Sequence, residues 1–241
     1  MAIKFFDCKG YGQIEPSQVW FTRAGMSESQ CELDPDVFAA HFPVLPTEVA
    51  EGKIVAENGA FLMIDKERKI ATIPTKTLSD LGYKMGINYS TERIYNQYTP
   101  GRRNFCMIAG EYNPRIGFVE PGMRICTNAV AWDDAKGIFS GLVTSNEVYD
   151  KVKETIATMR DAANGRKSTI NPATGAVTNT GYNNPTPIYV GVTNESQGKL
   201  VLGVAPADAI GGVLGVVTEA YYNADNTDSF KIMFIDPAQV Q

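Results

Sequence analysis

Between Glu111 and Asp134 the chain reads EYNPRIGFVEPGMRICTNAVAWDD, and two apolar-alternating stretches meet there at Glu120-Pro121-Gly122. Ile116 and Phe118 alternate with Arg115 and Gly117 ahead of this turn; Met123, Ile125 and Thr127 alternate with Arg124 and Cys126 behind it. Side chains of a strand point alternately to two faces, so a period of two on both sides of a Pro-Gly break marks two strands joined by a tight connection. The same pattern recurs along most of the chain. It restricts the fold to a mainly β class, a β-barrel or sandwich-like body with one packed α-helix and an extended N-terminal arm.

The 22 Gly, 13 Pro and 11 Tyr supply the turns and sheet aromatics that such a fold consumes. A chain of 241 residues can bury roughly 70 to 75% of its unfolded surface and needs no disulfides to fold. Cys8, Cys31, Cys106 and Cys126 are too widely spaced for a CxxC metal or redox site, and the N-terminus carries no export-signal pattern. Reduced thiols made in a cytoplasm are therefore expected. The longest apolar run, Val213 to Val217, is far shorter than the roughly 20 residues that span a bilayer, so no membrane partner is expected. A net charge of −5 argues against nucleic acid, because phosphate binding requires clustered Lys and Arg. Arg102-Arg103 and Arg166-Lys167 are too short to change that and read as solvated turns.

Residues 1–47 hold small apolar islands, Ile3, Phe5 and then Val19, Trp20 and Phe21, in a chain cut by Gly10, Gly12, Pro16 and Gly25. Such islands cannot form a core alone. They fit an arm that lays its aromatics on the chain's own body or on a neighbouring subunit. Asp34-Pro35-Asp36 could start a short helix over Val37 to His41, stopped by Pro43 and Pro46. The body, residues 48–241, begins with Lys53–Ala56, Ala60–Ile64 and Lys69–Ile73, which read as a β-meander. Phe105–Ala109 is a continuous apolar run of strand length, expected to be buried on both faces.

A helix over about 145–163 follows. Thr144 stands three residues before Glu147, the spacing of a capping box, with Ser145 and Asn146 as rival caps. Val148, Val152, Ile156 and Met159 form its apolar stripe, and Asn164-Gly165 stops it. Residues 164–187 are a long polar loop in which Asn171 to Gly175 could turn a small hairpin between Ile170 and Val177. Strands return at Ile188–Val192, Lys199–Val204, Val213–Tyr222 and Ser229–Ile235, the last two as a closing hairpin.

Chemistry is sparse. His41 is the only histidine, so a two-His metal site is impossible, and a Cys-His dyad would have to use it. Gly165-Arg166-Lys167-Ser168 lacks the upstream glycine of a phosphate loop, since Arg160 stands in its place. Asp133-Asp134 and Asp225 with Asp228 are acids in turn settings, where solvation is the ordinary role. Trp132, Tyr221 and Tyr222 could form a sugar-stacking platform or simple sheet packing. The expectation is a chain with no catalytic residues, no cofactor and no metal.

Asn113-Pro114-Arg115, Glu120-Pro121-Gly122, Thr127-Asn128-Ala129-Val130, Val217-Thr218-Glu219 and Phe230-Lys231-Ile232 together resemble a pattern in structural proteins of tailed bacteriophage virions. The resemblance is to auxiliary or decoration proteins of the capsid. It runs from about residue 50 to the end, and the arm has no counterpart in it. Cys126-Thr127-Asn128 stands where a double Thr occurs in that pattern, and Met123 follows Gly122 where an aspartate is common. What the resemblance implies is a non-enzymatic subunit, made in the host cytoplasm, that docks in many copies on the phage head. Its partners would be the major capsid protein or other virion proteins and further copies of itself. Phe5, Val19, Trp20 and Phe21 are the expected docking residues, because aromatics carry much of the energy of interfaces. The alternatives are a tail-tube, head-completion or fibre-associated subunit, a glycan-binding module, and an enzyme built on His41.

Overall fold

A computed structural model describes residues 3–5, 19–22, 28–33, 55–57, 59–88, 106–108, 112–128, 130–164, 168–170, 177–179, 187–196, 198–212, 214–222 and 228–240. The N-terminal part supplies β1 (Ile3–Phe5), β2 (Val19–Trp20) and β3 (Glu28–Leu33). Next come β4 (Val55–Glu57), β5 (Phe61–Asp65), β6 (Ile70–Thr72), a short helix α1 (Lys76–Asp80) and β7 (Lys84–Asn88). They are followed by β8 (Cys106–Ile108), β9 (Tyr112–Phe118), β10 (Arg124–Thr127), β11 (Val130–Asp133) and the long helix α2 (Ser145–Asn164). β12 (Ser168–Ile170), β13 (Val177–Asn179), β14 (Tyr189–Val192), β15 (Leu200–Leu202), β16 (Leu214–Tyr222) and β17 (Asp228–Ile235) complete the order.

The chain is mainly β, as its alternation requires. Five strands close a small barrel in the order β3-β6-β5-β7-β9, and eight form a larger sheet, β1-β11-β15-β14-β16-β17-β10-β2. The stretch around the Pro-Gly turn joins them. β9 belongs to the barrel and β10 to the large sheet, so Glu120-Pro121-Gly122 turns a corner between two bodies rather than closing a hairpin. Gly122 takes φ 90°, a left-handed conformation that glycine adopts without a Cβ penalty. Only two residues separate β10 from β11, which nevertheless sit near opposite ends of the strand order. The large sheet therefore curls enough for a two-residue connection to link its second and seventh strands.

The described strands of the N-terminal segment pair with this same stretch in reverse order. Phe5 lies opposite Ala131, Trp20 opposite Arg124 and Glu28 opposite Gly117, all antiparallel. β1 and β2 thus edge the large sheet while β3 enters the barrel. The boundary expected at residue 47 and the short helix expected over Val37 to His41 lie outside the described residues.

The two bodies share a core. Along β5, Phe61 and Met63 point into the cluster beneath the large sheet, with Phe61 edge-on to Phe234 at 5.8 Å between ring centroids. Leu62 and Ile64 point the other way and fill the barrel with Cys31, Ala71, Ile73 and Ile116. Burial on both faces explains why this strand reads as an unbroken apolar run. The expected meander forms only in part: β5 and β6 pair antiparallel, but β4 pairs with β8, because its short apolar run carries no signal for its partner. Ile170 and Val177 close the β12-β13 hairpin, and β16 and β17 form the closing hairpin with a register shift between Val217 and Glu219.

Helix α2 buries Val148, Val152 and Ile156 against the large sheet, each contributing about 1.5 to 3 kcal/mol of apolar burial. Tyr149, outside the expected stripe, joins them and meets Phe230 at 5.7 Å. Its N-terminus is a capping box: Glu147 Oε2 accepts from the Thr144 and Val143 backbone N–H groups at 2.8 and 2.9 Å, and Thr144 Oγ1 accepts from Glu147 N at 3.3 Å. These backbone donors, Thr144 first, hold the Glu147 carboxyl below its usual 4.5. A depressed folded pKa means the contribution is complete above the unfolded value and is lost as pH falls through the lower folded value. Glu147→Gln should therefore flatten the acid limb of a melting-temperature profile below pH 4.5; an unchanged acid limb would contradict the capping role.

Candidate functional site

The cross-strand register of the large sheet sets up a single row of side chains on its outer face. Trp20 on β2 is opposite Arg124 on β10, which is opposite Met233 on β17, then Val216 on β16 and Tyr189 on β14. Their chain neighbours Val19, Ile125, Ile232, Val217 and Val190 point inward and pack on the core. Strands lie about 4.8 Å apart, so the row is roughly 20 Å long. Trp20 and Arg124 are exposed, Trp20 by 48%, and Met233, Val216 and Tyr189 are half-buried.

This face opens into a groove of about 790 Å³ whose walls include Trp20, Phe21, Arg124, Glu219, Lys231 and Met233. The β-bulge shapes it. An extra residue, Thr218, sits in β16 opposite Lys231, and its hydroxyl donates to the Lys231 carbonyl at 3.1 Å. Glu219 consequently lies beside Lys231 on the groove side, with Lys231 Nζ 3.0 Å from Glu219 Oε2. Arg124 has no ion-pair partner among the described residues. The groove thus combines an indole, a thioether and an unpaired guanidinium, the residue types enriched where proteins bind one another.

Of the four residues expected to dock, the structure brings Trp20 and Phe21 to this groove. Val19 and Phe21 also pack against the chain's own core, so the fold itself uses them. Phe5 lies on β1, opposite Ala131 near the other end of the paired arm, and its side chain falls outside the described residues. Arg124, Met233, Lys231 and Glu219 were missed by sequence reasoning. Their signal is the outward phase of the alternation that placed Ile125, Ile232 and Phe234 inside; the closing hairpin that unites Glu219 with Lys231 was legible, but the pairing that brings Arg124 and Trp20 beside them has no mark in the sequence.

The other candidates take structural places. Trp132 is 2% exposed and its indole N–H donates to the Leu142 carbonyl at 3.0 Å, so it presents no face to a sugar. The side chains of Tyr221 and Tyr222 fall outside the described residues, as does His41. Asp133 accepts from Ala135 N at 3.0 Å and lies 3.7 Å from Lys136 Nζ, while Asp134 pairs with Lys4 at 2.9 Å. Each acid has its own partner. Among the described residues no group of three or more His, Cys, Asp and Glu side chains could hold a metal ion, and no described helix is long and apolar enough to cross a membrane.

Cys126 is buried in β10, and burial pushes its thiol up to about 11. The thiolate is the reactive form, so Cys126 is shielded both sterically and electrostatically. At pH 8 it should resist a thiol reagent in the folded chain and react on denaturation, as mass spectrometry of the labelled peptide would show. Rapid labelling in the native chain would contradict its placement.

No family model, no curated protein and no solved structure matches this chain.

Proposed function

We propose that this chain is a non-enzymatic virion structural protein, a capsid auxiliary or decoration subunit that docks on the phage head and stabilises it. One observation carries the proposal: an exposed tryptophan at the rim of a groove, in a row with arginine and methionine, on the outer face of the large sheet. A large aromatic held half in water forgoes burial that a partner surface would supply, and tryptophan is the residue most enriched among dominant contacts of interfaces. The resemblance of the Pro-Gly corner and its flanking strands to capsid auxiliary proteins names the partner, the major capsid protein. The short β2 strand does not propagate the sheet by itself, which suits docking by side chains.

The mechanism is mass action. A subunit that binds the assembled shell and not its dissociated parts stabilises the shell by RT ln(1 + [L]/Kd), about 2.7 kcal/mol per site when the free subunit is at 100 times Kd. Purified chain added to heads that lack it should saturate a fixed number of sites and raise the temperature at which they release their contents. Imaging of the same particles shows where it sits. Density on the head supports the proposal; density on the tail tube, head-completion ring or fibres moves the subunit elsewhere in the particle, and no density at all refutes a virion role.

A further inference from the structure

The groove is locally cationic on a chain of net charge −5. Of its charged lining residues among those described, Lys231 and Glu219 neutralise each other at 3.0 Å, which leaves Arg124 as the unbalanced charge. Arg124 stands between Trp20 and Met233 in the register row, so the guanidinium is flanked by apolar surface on both sides. A planar guanidinium in such a position matches a carboxylate through two parallel hydrogen bonds, and the apolar flanks exclude water and strengthen the pair. The part of the row that lines the groove, Trp20 to Met233, crosses two strand spacings, roughly 10 Å, or about three residues of extended chain. A polyphosphate backbone would require several clustered cations rather than one.

We infer that this groove receives an extended protein segment whose carboxylate pairs with Arg124 and whose flanking apolar side chains cover Trp20 and Met233. The inference deepens the docking role proposed above by giving the chemistry of the segment the shell presents: one acid, with apolar residues two positions to either side, on the same face of the extended chain. Arginine supplies orientation and tryptophan supplies most of the affinity. The Lys231–Glu219 pair on the groove wall disfavours a segment that carries a second charge of either sign there, because it would have to break an existing pair.

The test uses the full chain and three labelled heptapeptides whose residues 2, 4 and 6 share one face of an extended chain: valine, glutamate and valine at those positions, valine, lysine and valine, or serine, glutamate and serine, with serine at all other positions. Fluorescence anisotropy at low salt should give the valine–glutamate peptide at least about tenfold tighter binding than either control, one carboxylate–guanidinium pair or one tryptophan contact being enough for that ratio. Arg124→Glu should abolish the preference for glutamate over lysine, and Arg124→Lys should keep its direction with weaker binding. Equal binding of the lysine peptide, or no binding of any peptide, would overturn the inference. So would a dimer in sedimentation analysis that Trp20→Ala dissociates, since a second copy of the chain would then fill the groove. Head particles separate this inference from the virion role: loss of attachment in Trp20→Ala with full attachment in Arg124→Glu sinks the acidic segment alone. Discrimination among the peptides with no attachment to heads sinks the virion role alone.

Discussion

Alanine at Gly198 lowers the stability of the folded chain by about 2 to 5 kcal/mol, while alanine at Gly82 lowers it by about 1 to 2. Both glycines are left-handed, with φ of 82° and 85°. An added Cβ at Gly82 meets nothing within 4 Å, so its cost is the backbone conformation alone, roughly 1 to 2 kcal/mol. At Gly198 the Cβ would run into the carbonyl oxygen of Phe61, a backbone atom that cannot swing aside as a side chain could. Gly198 also accepts the Phe61 N–H through its own carbonyl at 2.8 Å. That contact ties barrel strand β5 to the turn ahead of sheet strand β15, and crowding it adds an overpacking cost of about 1 to 3 kcal/mol. For a chain of this size the extra cost shifts the melting temperature by about 2 to 4 °C per kcal/mol. Thermal denaturation of the two variants side by side reads the difference, and equal shifts would show that the barrel and the sheet are not joined at Gly198.

The second large effect is on attachment. On the proposed docking role, Trp20→Ala should weaken binding to heads by about 30-fold, the equivalent of a 2 kcal/mol contact, and leave the melting temperature almost unchanged. Trp20 is 48% exposed in the isolated chain, so its own fold gains little from it. Phe21→Ala behaves oppositely. Phe21 packs against the core as well as lining the groove, so its truncation costs about 2 kcal/mol of stability and confounds any loss of attachment. Phe21 is therefore a poor probe of docking, although the sequence gives the two aromatics equal standing. Purified variants titrated onto heads, with a thermal melt of each, separate the two effects. Trp20→Ala heads decorated at wild-type concentrations would remove Trp20 from the interface.

Much of the local structure was legible because it depends on near neighbours. The α2 stripe and its Thr144–Glu147 cap follow from helical spacing, and the closing hairpin follows from alternation across a turn. What stayed hidden is long-range. β9 and β10 read as neighbours across a Pro-Gly turn, yet each pairs with strands of a different body. The pairing of β4 with β8 spans about half a hundred residues and rests on three-residue strands whose runs could match several partners. The bulge at Thr218 changes which residues share a face without changing composition, and it decides that Glu219 reaches Lys231.

The candidate groove was half legible for the same reason. Trp20 and Phe21 stand out as aromatics in a segment that cannot form a core of its own. Arg124 and Met233 join them only through the register of β2, β10 and β17, three strands far apart in the chain, and nothing local distinguishes them from any other outward residue.

The chain has two tryptophans, and they are opposite in exposure: Trp20 at 48% and Trp132 at 2%. Quenching of tryptophan fluorescence by iodide in the free chain should therefore reach Trp20 and spare Trp132. The central claim is that Trp20 and its groove are covered when the chain docks on a phage head. On saturated heads the iodide-accessible emission of the bound chain should disappear; emission from Trp20 that stays as quenchable on heads as in free solution would contradict it.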